Sequence, residues 1–158
     1  MNDYEVEKHT AFTIEEARKH VDNTQLGVDV FALHVITNHV KRSSAEKAAE
    51  DMKGLVKAIS DKHKNSKVVI SLGPPRDDNN LYKLKTQLAN TILTDEFKSS
   101  DQVTLVSNDN MSMHNGHVQD NLFLEDRIHL SSEGTRVLWV LCVCWSKEKR
   151  RSHGRSHS

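Results

Sequence analysis

The chain has 158 residues, 36% hydrophobic and 5% aromatic. That length suits one domain burying roughly two-thirds of its unfolded surface. Its 22 basic and 22 acidic residues cancel, so no overall field draws it toward nucleic acid or an anionic membrane.

The opening MNDYEVEKHT has no apolar core of signal-peptide type, and an intracellular address, cytoplasmic or nuclear, is expected. EVEKHTA (5–11) reads as a short strand. Thr13-Ile-Glu-Glu16 is a capping box, the Thr13 hydroxyl accepting from a free helix amide while Glu16 reaches back. Ile14, Ala17 and Val21 form one apolar face behind it. VDVFALHVI (28–36) is a continuous, β-branched apolar run, suited to a strand covered on both faces. Ser43-Ser-Ala-Glu46 is a second capping box. Ala45, Ala48, Ala49, Met52, Leu55, Val56 and Ile59 follow it at the three- and four-residue spacing of a helix.

KVVISLG (67–73) is the next buried strand, closed by Pro74 and Pro75. A helix with Leu81, Leu84, Leu88 and Ile92 on one side comes next, then the strand QVTLVSN (102–108). A polar loop runs to about Glu125, and a last helix starts near Ser131 or Ser132. Within that loop His114, His117 and Asp120 have ligand-like spacing. Zinc needs three or four convergent ligands, so this stretch reads as a loop, and no metal or cofactor is expected.

The run VLWVLCVCW (137–145) has nine apolar residues, short of the roughly 20 that cross a bilayer, so no membrane span is expected. Its Cys142 and Cys144 read as reduced, buried thiols, since neighbouring cysteines of this kind rarely bridge. The chain closes on KEKRRSHGRSHS (147–158), basic and without apolar residues, expected to be a disordered tail behind a domain spanning 1–146.

Strands alternating with amphipathic helices predict right-handed crossovers and a short, mostly parallel sheet. Sites in such sheets form where loops leave the carboxyl ends of the strands. Thr37-Asn38-His39, Pro75-Arg76-Asp77-Asp78 and the stretch from Asn108 to His129 all fall there.

From Val6 to Leu138 the chain resembles an SGNH (GDSL-type) hydrolase, a three-layer flavodoxin-like esterase domain also found in animal retrotransposon open reading frames. Asp126-Arg-Ile-His129-Leu-Ser resembles the family's last block. HVITNH (34–39) is similar to its third, with Thr37 and Asn38 kept, Ile36 in place of glycine and His39 in place of aspartate. HTAFTIEEA (9–17) resembles the second block with Ala11 where a glycine stands, and ISLGPPR (70–76) the fourth-strand region. The resemblance implies a base His129 oriented by Asp126, and oxyanion donors at Asn38, Thr37 and the amide of Ala11.

No Gly-Asp-Ser occurs in the sequence, so the nucleophile block, and with it the family's first strand, is missing. A base and orienter without their serine have nothing to activate, and glycines replaced by Ala11 and Ile36 crowd the substrate's approach. The expected function is a degenerate domain acting by binding or self-association. An alternative is weak esterase activity by Asp126 and His129 with another nucleophile, such as Ser71, Ser107 or a partner's serine. A further alternative is nucleic-acid contact through the basic tail. The unpaired edge of residues 29–35 is expected to make the chain a homo-oligomer.

Overall fold

Three short parallel strands carry the architecture. The computed structural model describes residues 5–113 and 115–138. The cysteines and the basic tail lie outside those residues. In chain order the elements are α1 (Ile14–Asn23), β1 (Val30–Leu33), α2 (Ile36–His39), α3 (Ala45–Lys62), β2 (Lys67–Ser71), α4 (Asn80–Phe97) and β3 (Val103–Val106). A final helix, α5, is described over 132–138. The sheet order is β1-β2-β3, parallel throughout, with Val30 beside Lys67 and Val68 beside Val103.

Alternation along β2 assigns the two faces. Val68 and Ile70 point into a core shared with α1, α3 and α4, where Ile14, Met52, Ile59 and Leu93 are buried. Val69 points the other way, joining Val106, Met111, Val118, Leu122, Phe123 and Leu138. β2 and β3 are therefore covered on both sides, by helices on one and by the 109–131 loop with α5 on the other.

Both capping predictions concern helices that form. Thr13 accepts from the Glu16 amide at 3.2 Å, and Glu16 takes the Phe12 amide at 2.7 Å. The second cap sits one residue later than expected. Ser44 accepts from the Lys47 amide at 3.1 Å, while Ser43 turns back to donate to the His39 carbonyl.

Four expectations are corrected. Residues 5–11 form no strand; all but Ala11 are exposed, and Val6, the one aliphatic among them, has nothing to pack on. The 28–36 run supplies only four strand residues, because Ile36 and His39 are buried in the single turn α2. That turn is held from outside: His39 Nδ1 accepts from the Ile14 amide at 3.4 Å, which leaves Nε2–H to donate to Asp51 at 2.9 Å. Nor is β1 covered on both faces, since Ala32 and, just beyond it, His34 are exposed. On α4 the buried residues are Thr86, Ala89 and Leu93, and Leu81, Leu84 and Leu88 face solvent.

Candidate functional site

The segment from Leu122 to Ser131 doubles back on itself. Phe123 and Leu130 form an antiparallel bridge, the Leu124 amide donates to the His129 carbonyl at 2.8 Å, and the Ser131 amide donates to the Leu122 carbonyl. Six residues, 124–129, are thereby pinched into a tight loop. Ser131 then caps α5, its Oγ accepting from the Gly134 amide at 3.1 Å. Gly134 has to be glycine here, because a Cβ would collide with the Leu122 carbonyl.

Inside the loop Asp126 folds over the backbone that follows it. One carboxylate oxygen accepts from the amides of Ile128 at 3.1 Å and His129 at 3.0 Å, an Asx-type turn. Arg127, between them, takes the left-handed conformation, φ 56°, uncommon for a residue with a side chain. The other oxygen meets His129 Nδ1 at 2.5 Å. That bond, first, and the two amides hold the Asp126 carboxyl down to about 2 against the opposing effect of burial. The structure therefore brings Asp126 and His129 together as their spacing suggested. The pair lies open to water, with side chains 45% and 54% exposed. No serine hydrogen-bonds to His129 among the described residues.

The other candidates are placed differently. Thr37 and Asn38 lie in α2, where the Thr37 carbonyl accepts from Arg76 at 3.0 Å and the buried Thr37 hydroxyl has no partner among the described residues. Asn38 makes no side-chain hydrogen bond to the Asp126–His129 pair. Ala11 packs against the helix-side core. Ser107 is exposed and accepts from the Asp109 amide, a local turn. Ser71 is buried, and its hydroxyl lies 3.1 Å from His34 Nδ1 and 2.9 Å from Asn108 Nδ2.

Arg76, Asp77 and Asp78 tie these loops together. Arg76 is 1% exposed and grips Asp78 through two bonds of 2.7 and 2.6 Å while holding the Thr37 carbonyl. The Asp77 amide donates to the Arg127 carbonyl at 3.4 Å, between Asp126 and His129. The Asp77 carboxylate accepts from the Val118 amide at 2.8 Å and contacts His117 at 3.2 Å. Burial would raise its pKa, but the Val118 amide, His117 and Lys83 outweigh it and the net shift is downward. His117 is thus occupied by Asp77. The charged run after two prolines marks this brace in the sequence; its partners, far along the chain, do not show there.

Glu15, His39 and Asp51 each bring one ligand atom within 4.8 Å of the others. Both ring nitrogens of His39 are already bonded, and Lys47 sits 2.6 Å from Asp51. The cluster is a tie between helices. A cleft of about 280 Å³ opens between Gly73, Pro74, Lys83, Asn90, Asp109 and Gly116, and neither Asp126 nor His129 lines it.

No family model and no curated protein matches the sequence. Among solved structures, a candidate platelet activating factor from Streptococcus pneumonia is similar, with a TM-score of 0.71 at 17% identity, over 85% of this chain and 68% of that one. At that identity the likeness is one of fold: the chain is an α/β domain on a short parallel sheet.

Proposed function

We propose that this chain is an SGNH-type, flavodoxin-like domain in whose sequence no Gly-Asp-Ser nucleophile block occurs, and that it acts by association through β1. The observation that carries this reading is the open edge of that strand. The Lys67 amide donates to the Asp29 carbonyl, so alternate residues Asp29, Phe31 and Leu33 face β2, and Val30, Ala32 and His34 turn their amides and carbonyls outward. Among the described residues no strand lies on that side. Beside the edge, Ala32 and His34 are uncovered on one face as well. Edges of this kind recruit another strand, and a second copy supplies one by antiparallel pairing about a two-fold axis.

Light scattering at micromolar concentration is expected to report a dimer or larger. Val30→Pro removes an outward amide without touching the β1–β2 ladder, and should release monomers. A wild-type monomer at these concentrations would overturn the proposal.

The short contact between Asp126 and His129 favours a second reading, weak esterase activity. The two separate cleanly. Without a serine on His129, hydrolysis of p-nitrophenyl acetate should stay within about tenfold of free imidazole at equal concentration. Saturable turnover that disappears in His129→Ala would establish the enzyme instead.

A further inference from the structure

The carboxyl ends of all three strands meet at one buried serine. Ser71 closes β2, His34 follows β1 and Asn108 follows β3. Hydrogen-bond chemistry fixes the Asn108 end of this chain. Asn108 Nδ2 also meets the Leu72 carbonyl, at 2.5 Å; a carbonyl only accepts, so the amide orientation is set and Nδ2 donates to Ser71. Ser71 Oγ therefore accepts from Asn108, and in the tautomer of His34 that carries its proton on Nε2 the Ser71 proton is directed at Nδ1, 3.1 Å away. Asn108, 1% exposed, leaves its own Oδ1 without a partner among the described residues. The cluster thus keeps an open acceptor beside a serine–imidazole pair.

The geometry points to Ser71 as a latent nucleophile, with His34 as its base, that takes an acyl or phosphoryl group from a small activated electrophile and retains it. Ser71 is 2% exposed, which excludes bulky substrates, and its partner His34 is exposed to solvent. Although part of the His34 side chain reaches solvent, the protein packed around its ring lowers its pKa, which favours the neutral form able to accept a proton near pH 7.

Turnover is a different matter, because the nearby donors are committed. Both Asn108 amide hydrogens are used, the Gly73 amide donates to Asn90 at 2.9 Å, and the Leu72 amide donates to the Val106 carbonyl. These donors are therefore not available to steady an oxyanion. The reaction needs an activated leaving group, and the product persists.

The probe is a small dialkyl fluorophosphate. The Ser71 Oγ–P bond forms, the P–F bond breaks, fluoride leaves, and the serine proton passes to His34 and then to solvent. Intact-mass analysis with peptide mapping should find one dialkylphosphoryl group on Ser71 of the full chain. His34→Gln should slow labelling at least about a hundredfold, the lower end of general-base catalysis, while Ser107→Ala leaves it unchanged.

The wild-type pH profile needs no variant to fold. Labelling should fall in acid as His34 protonates and be flat from neutrality to pH 9. No adduct at Ser71, a rate unaltered by His34→Gln, or a rate climbing steadily to pH 9 would each overturn the assignment. Self-association through β1 is tested separately and can fail without it.

Discussion

Arg76 shows what a single residue carries here. Its guanidinium is buried, bonded to Asp78 and the Thr37 carbonyl and lying over the Tyr82 ring, 5.1 Å from its centre. Removing it leaves a carboxylate, itself 21% exposed, without its cation and a carbonyl without its donor. Breaking a buried pair from one side costs about 3–5 kcal/mol, and Asp78's partial exposure puts this case near the lower figure. Arg76→Ala is therefore expected to lower unfolding stability by about 3 kcal/mol in urea titration. A loss below about 1 kcal/mol would mean that the brace holds little. Asp126 is the contrasting case: its partners are local amides and one exposed imidazole, so it shapes its own loop.

At the scale of elements, α4 is the instructive helix. Its sequence offers two apolar sets, and leucine spacing favours Leu81, Leu84 and Leu88. The buried set is instead Thr86, Ala89 and Leu93, with small residues where α4 meets α3 and β3. Thr86 lies against Gly73 so closely that a Cβ on Gly73 would strike its methyl group, and a bulky side chain would not fit at position 86. The two sets make opposite predictions. Leu84→Lys, at a position 63% exposed, should change stability by no more than about 0.5 kcal/mol. Leu93→Ala, at 0% exposure, should cost about 2–5 kcal/mol. Reversal of that order in chemical denaturation would show that α4 buries its other side. Chain periodicity identified the helix but not which face the fold uses.

For the whole molecule, acid is the sharpest probe. His34 has a folded pKa below its ordinary 6.5, so on acidification the unfolded chain takes up that proton first. Stability should begin to fall below about pH 6.5 and stop losing this contribution once pH drops beneath the folded value. The carboxylates act lower down. Asp126, held to about 2, and Asp77 and Asp78, also lowered, stabilise the fold above the ordinary 3.8, and that contribution is lost as pH falls toward 2. Urea midpoints should therefore decline in two stages, and His34→Gln should remove the upper one. A midpoint that rises between pH 6.5 and 5 would contradict the environment assigned to His34.

What the sequence determined by itself is everything governed by short-range chemistry. The alternation of strands and helices, the cap at Thr13, the start of α5 and the Asp126–His129 contact each depend on residues within a few positions of one another. Periodicity, capping and an Asx turn act over that distance. Tertiary structure decided the rest. EVEKHTA, expected as a strand, has no neighbouring strand among the described residues. His39 could bend residues 36–39 into a helical turn because Ile14 and Asp51, from two other helices, meet its ring. Ser71 acquired its partners in the same way, from positions 37 residues away on either side. A hydrogen bond between distant residues has no spacing to read, since its geometry exists only after the strands have taken their places beside one another.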